Sequence, residues 1–167
     1  REMITAWPLV LKQIPTAQLW IAGKGDLRTG LERLATSNNL TDRVHFLGAV
    51  SEDQKNDLLT RCRCLALPSR GEGFGLVYLE AMRMGRPCLV STYDAGQEVV
   101  NPPEAGLAVD PGRPQALAAS LIRLLTPGEE WTTWSNRAAA RYARHFTEDL
   151  FQQRLWSALS DTIKQNI

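Results

Sequence analysis

Two carboxylates, Glu72 and Glu80, bracket the segment Glu-Gly-Phe-Gly-Leu-Val-Tyr-Leu-Glu, which puts one acid on a glycine-rich loop and the other inside the helix expected to follow. Gly73 and Gly75 carry no side chain, so a ligand can come close to the backbone there. The run 76–82 reads as a helix opening. A glycine loop feeding a helix start is an anion site. The first N–H groups, those of Leu76 and Val77, have no partner within the helix and lie at the positive end of its dipole. Glu80 falls one turn beyond Leu76 on the same face, where a carboxylate can accept two hydrogen bonds from a diol. These residue types point to a phosphate bound next to a diol. A second glycine pair, Gly23 and Gly25 in Gly-Lys-Gly-Asp, has two readings: a wall of the same cleft, or a tight turn joining strand to helix.

Positioning such a loop takes a sheet. Apolar runs at 17–22, 44–47, 63–68, 87–91 and 106–109 read as strands, and they alternate with helical patterns at 27–37, 52–60, 76–84 and 114–125. That alternation is the sign of a parallel sheet flanked by helices. Ser51 with Gln54 makes a capping box before 52–60, Gly85 closes 76–84, and Pro114 suits a first helical turn. Two further helices are predicted at 129–145 and 147–165, the second carrying Phe151, Leu155, Leu159 and Ile163 on one stripe. Trp131 and Trp134 on the first read as core packing rather than as a surface for stacking a sugar.

Composition narrows the class without naming a ligand. At 167 residues with 44% hydrophobic and 22% charged residues, the chain suits one soluble α/β domain with a sizeable core. A formal charge of +1 gives no bulk field for nucleic acid or an anionic membrane, so any phosphate must be bound locally. No long apolar run and no charged-then-apolar leader is present, and the expected location is cytoplasmic. Cys62, Cys64 and Cys88 lack paired metal-type spacing and are expected to be buried free thiols. His45 and His145 have no ligand-spaced partner and are expected to be structural.

The Glu72 to Glu80 pattern resembles the glutamate-x7-glutamate signature of retaining GT-B glycosyltransferases, most closely glycosyltransferase family 4 (group 1). Other segments match that family in order: Pro-Thr-Ala-Gln-Leu-Trp-Ile-Ala-Gly-Lys-Gly at 15–25, Asp-Arg-Val-His-Phe-Leu-Gly at 42–48, Ala-Met-Arg-Met-Gly-Arg-Pro at 81–87, Gly-Gln-Glu-Val-Val at 96–100 and Glu-Ala-Gly-Leu-Ala-Val-Asp-Pro at 104–111. The likeness covers residues 1–125. It implies the C-terminal half of a GT-B fold, a Rossmann-like doubly wound parallel sheet, with residues 1–128 as a donor-binding domain and 129–167 as a helical extension packing on it.

The resemblance also implies roles. Glu80 would accept hydrogen bonds from the nucleotide ribose, and Glu72 would lie near the donor hexose and position its hydroxyls. Gly73, Phe74 and Gly75 would lie against the donor sugar, with Leu76 and Val77 facing the phosphates. The bland alternatives are a solvated helix glutamate for Glu80, a turn carboxylate for Glu72 and a core anchor for Phe74. At 95–96 the family more usually has two glycines, and Ala95 replaces the first. Glu98 reads as a structural cap of that loop.

By resemblance the reaction is transfer of a hexosyl group from a UDP-, GDP- or ADP-sugar to an acceptor hydroxyl with retention, without a bound metal or cofactor. Alternatives are a GT-B nucleotide-sugar epimerase and a nucleotide-sugar binding fragment without activity of its own. The acceptor domain of the family is N-terminal and is expected upstream, as a partner in the parent chain that leaves room for peripheral membrane contact. Residues 2–13 match the helix after the first strand of the C-terminal domain, with Pro8 expected to kink it or mark its real start. That strand, and the Arg and Lys pair it carries in the family, are not among residues 1–167. Neither Arg1 nor Lys12 takes their place. Since the strand is central in the doubly wound order, the sheet is expected to be interrupted beside 17–22.

Overall fold

The computed structural model describes residues 1–71 and 73–165, with side chains described as far as residue 160. The order is α1 (Glu2–Gln13), β1 (Leu19–Ala22), α2 (Arg28–Ser37), β2 (Val44–Gly48), α3 (Glu52–Arg61), β3 (Leu65–Leu67), α4 (Leu76–Arg83), β4 (Cys88–Ser91), α5 (Gly96–Val100), β5 (Gly106–Val109), α6 (Pro114–Leu125), α7 (Glu129–His145) and α8 (Glu148–Gln165). Every described strand pair is parallel, as strand–helix alternation requires.

The strands form two sheets, β1-β2 and β3-β4-β5. Among the described residues β1 pairs only with β2 and β3 only with β4, so the interruption expected beside residues 17–22 is present there. Side-chain alternation along the strands joins the pieces into layers. On β4, Leu89 packs into one core with Ile4, Trp7 and Val10 of α1, Val44 of β2 and Leu117, Leu121 and Leu124 of α6. Its neighbours Cys88 and Val90 point the other way, into a second core with Leu59 of α3, Tyr78, Ala81 and Met82 of α4 and Ala138 of α7. All four residues of β4 are buried, which marks it as the centre of its sheet. α1 packs against α6 and α2, and its core takes in side chains from both sheets; this contact spans the interruption without hydrogen bonds between sheets.

Pro8 does not mark the start of the helix, one of the two outcomes expected for it. α1 starts at Glu2 and continues through Pro8 to Gln13. The ring removes only the N–H that would bond to Ile4, while Ile4, Ala6, Trp7 and Val10 are all buried around it. At about 1.5–3 kcal/mol for each large apolar side chain buried, that packing offsets one lost helical bond. α5 carries no strong helical periodicity and was not predicted. Asp94 supports its entry by accepting a hydrogen bond from the Gly96 N–H at 3.0 Å.

The two C-terminal helices differ. α7 buries Trp134 and Ala138 and lies on α4. Trp134 donates to the Pro103 carbonyl at 3.1 Å and Trp131 to that of Arg63 at 3.0 Å, so both indoles clamp loops, in line with packing roles. On α8, Phe151, Leu155, Trp156 and Leu159 are exposed, whereas Ile163 of the predicted stripe lies outside the described side chains.

Candidate functional site

The loops that leave the C-terminal ends of β1, β3 and β4 are residues 23–27, 68–75 and 92–95. In an open parallel sheet the loops at the carboxyl ends of the strands border the crevice where ligands bind. The loop after β3 is built to be open. Gly71 and Gly73 have no atom within 4 Å of where a Cβ would stand. Gly75 caps α4 in the left-handed conformation, φ 76°, which any other residue would adopt only with strain. Leu76 and Val77 begin α4 as predicted, so the helix amides without carbonyl partners lie directly after the open loop. Phe74 is 49% exposed, which rules out its alternative role as a core anchor. Tyr78 takes that role: it is fully buried, and its hydroxyl donates to the Leu67 carbonyl at 2.7 Å, tying α4 to the end of β3.

Glu72 lies outside the described residues. Glu80 is described in detail, and its two oxygens have different surroundings. Oε1 accepts a hydrogen bond from Lys55 Nζ at 2.8 Å, and Oε2 is buried with no hydrogen-bond partner among the described residues. Native structures rarely leave a buried carboxylate oxygen unsatisfied. Lys55 stands in the first turns of α3, where the Ser51–Gln54 capping box fixes the backbone, and its ammonium also meets Glu52 at 2.8 Å. The two acids, Glu52 first and then Glu80, hold the Lys55 ammonium above its ordinary pKa, so it stays charged at neutral pH. A shallow concavity of about 190 Å³ borders Glu80, lined by Leu76, Leu79, Arg83, Tyr142 and Phe146.

The loop after β4 is closed. Gly96 sits against the Tyr78 ring: a Cβ there would stand 2.7 Å from Cε2. The glycine is needed for packing, and Ala95, at φ −67°, fits without strain. Glu98 does not cap this loop. Asp94 does, accepting from Ser69 Oγ at 2.8 Å as well as from Gly96, and so couples the loops after β3 and β4. Tyr93 lies under the Arg70 guanidinium and bonds Asp110 at the end of β5. Asp110 is held below its ordinary value first by the Gly112 N–H and then by the Tyr93 hydroxyl. These five side chains, Asp94, Ser69, Tyr93, Arg70 and Asp110, had no local signal in the sequence.

Gly23 and Gly25 form the turn into α2. The Gly23 N–H donates to the Gly48 carbonyl at 2.7 Å, which extends the β1–β2 ladder, and Gly25 accepts from the Arg28 N–H. The space around both glycines is open, so the turn leaves the loop approachable. A larger concavity of about 470 Å³ lies elsewhere, beside residues 101–104 where the chain enters β5. None of its lining residues belongs to the β3 loop or α4, and the Arg144 guanidinium on its wall is already bound by Glu104.

Cysteines play no part at the site. Burial pushes the Cys64 thiol up to about 12 although the residue is only half-buried, and burial also raises the Cys88 thiol well above its ordinary value. Among the described residues no His, Cys, Asp or Glu side chains cluster in a way that could hold a metal ion, and no helix is long and apolar enough to cross a membrane.

A family model described as glycosyl transferases group 1 matches residues 1–127. A GDP-mannose-dependent monoacylated alpha-(1-6)-phosphatidylinositol monomannoside mannosyltransferase of Corynebacterium glutamicum is 35% identical over 131 residues, which is 74% of this chain and 34% of the relative. An uncharacterized glycosyltransferase of Methanocaldococcus jannaschii is 36% identical over 124 residues, 74% of this chain and 32% of the relative. The chain thus spans about a third of the length of these relatives. Among solved structures, Anabaena HepE in complex with UDP-glucose superposes with a TM-score of 0.84 at 25% identity, over 96% of this chain and 44% of that one.

Proposed function

The chain belongs to the group 1 glycosyl transferases, and from that membership we propose that it binds the nucleotide diphosphate sugar donor of such an enzyme. The observation that carries this reading is the Glu80 carboxylate, whose buried Oε2 has no partner among the described residues and lies one turn inside a helix that follows an open glycine loop. A ribose hydroxyl is a fitting donor for that oxygen, and a hydrogen bond to an ionised acceptor is stronger than a neutral one. The α4 amides of Leu76 and Val77 would stabilise the diphosphate as negative charge develops on it. Gly73 and Gly75 would let the donor approach the loop backbone, and the exposed Phe74 ring stands beside that path. Glu72 would position hexose hydroxyls.

The full-length protein would transfer the hexosyl group to an acceptor hydroxyl with retention of configuration, its acceptor domain lying upstream, while residues 1–167 alone would not transfer sugar. Residues 1–128 would form the donor domain and 129–167 the extension on it, at a cytoplasmic site of action that leaves room for peripheral membrane contact of the full-length protein. Both UDP- and GDP-sugars remain candidate donors, since one similar protein is GDP-mannose-dependent and another was solved with UDP-glucose. A thermal-shift panel of UDP-, GDP- and ADP-sugars on the full-length protein tests the reading, because a ligand that binds only the native state raises its melting temperature. One nucleotide series should stabilise selectively. No shift with any of them would remove the donor-binding reading, and an inverted anomer in the product would remove retention.

A further inference from the structure

We propose that Lys55 is the positioning residue of this site: by holding Oε1 of Glu80 it fixes the carboxylate and leaves Oε2 to a sugar hydroxyl of the donor nucleotide. This inference rests on the reading of Glu80 as a ribose acceptor.

The geometry is specific. Lys55 and Glu80 are far apart in sequence and on different helices, yet Nζ and Oε1 are 2.8 Å apart. Both side chains are mostly shielded, at 25% and 30% exposure. The lysine itself is anchored from both ends. Its backbone N–H donates to the Ser51 carbonyl at 2.9 Å, the first helical bond of α3, and its ammonium bonds Glu52 at 2.8 Å. Because α3 follows β2 and α4 follows β3, this ion pair joins two helices that follow strands of different sheets.

Two physical consequences follow. A half-buried carboxylate free to rotate would turn both oxygens toward water, and its ordering would fall on the ligand; the ammonium removes that freedom beforehand. A carboxylate next to a diphosphate also faces like-charge repulsion. A cation within hydrogen-bonding distance offsets it, and in a partly shielded site that compensation exceeds its value in open water. Lysine has three donors, so it holds Glu52 and Glu80 together without giving up either. Glu52 is 83% exposed and serves as the outer anchor.

The test is calorimetric titration of the full-length protein with UDP, GDP and ADP, and with the 2′-deoxy and 3′-deoxy forms of whichever binds. The ribonucleotide should bind at least roughly tenfold more tightly than a deoxy form, the loss expected for one charge-assisted hydrogen bond. Lys55→Met should collapse that ratio toward one, as Glu80→Gln does. The double variant should discriminate no less than either single one, since the two side chains act as a unit. Lys55→Arg should restore most of the ratio, and Glu52→Gln should keep it. Lys55→Gln gives the same readout should the Met variant fold poorly.

Equal losses for ribo and deoxy ligands in Lys55→Met would mean that the ammonium contacts phosphate directly, and would overturn the proposal. An unchanged ratio would overturn it as well. Failure of the unaltered protein to bind any of the three nucleotides would overturn the donor reading itself, an outcome distinct from either.

Discussion

The glycines of the loop before α4 and those at the starts of α5 and β5 use the missing side chain in opposite ways. At Gly96 the space a Cβ would need is filled by the Tyr78 ring, and at Gly106 it is filled by the Cys88 backbone, 1.9 Å from the carbonyl oxygen. At Gly71 and Gly73 nothing lies within 4 Å. The first kind of glycine lets the protein pack against itself. The second leaves room for something else, and only that kind stands in front of a helix start with an unsatisfied carboxylate oxygen one turn further in. A glycine in a motif therefore says little until its neighbours are known.

The contrast can be broken by substitution. The largest effect is expected from Gly106→Ala, where the obstructing atoms are backbone and φ is +152°; the loss should exceed about 4 kcal/mol, seen as failure to recover folded protein. Glu80→Ala should leave the denaturation midpoint nearly unchanged and weaken nucleotide binding by about 1.5–3 kcal/mol, the range for a hydrogen bond to a charged group. Unchanged affinity would place Glu80 with the closed region.

Gly96→Ala should cost about 1–3 kcal/mol of stability by overpacking Tyr78, measured by urea unfolding. A smaller effect concerns pH. Glu104 fixes the far end of the closed region through Arg141 at 2.9 Å and Arg144 at 2.6 Å. The Asn101 amide first, and then the two arginines, hold its carboxyl below the ordinary value of 4.5, against an opposing contribution from burial. Its folded value is depressed, so its contribution is present above pH 4.5 and is lost as pH falls through the lower folded value. Glu104→Gln should remove that acid step and cost about 0–1 kcal/mol at neutral pH, as partly exposed ion pairs do. The smallest stability change, within about 0.5 kcal/mol, is expected at Gly73→Ala, with weaker nucleotide binding as its main readout. A Gly73→Ala variant as unstable as Gly96→Ala would end the distinction between the loops.

Much of the fold was legible because its signals are local. The short apolar runs became β1 to β5, with β3 shorter than predicted, since only residues 65–67 find partners on β4. Ser51 and Gln54 capped α3, and Pro114 opened α6, as their chemistry dictates. Other residues were illegible for the same reason in reverse. Asp94 received no prediction because the groups it binds include Ser69, in a different loop. Glu98 was expected to cap that loop by sequence adjacency, and the shorter Asp94 side chain does so instead. Pro8 looked like a boundary because helix propensity counts one residue at a time, whereas α1 is held by the core beneath it.

By itself, then, the sequence determined the order and type of the elements, the position of the open loop before α4 and the placing of Glu80 one turn inside, since propensity, caps and periodicity act within a few residues. The tertiary structure alone decided which glycines are filled and which are open, that α8 leaves Phe151, Leu155, Trp156 and Leu159 exposed, and that Lys55 reaches Glu80. These depend on contacts between residues distant in the chain, and no local pattern encodes such distances.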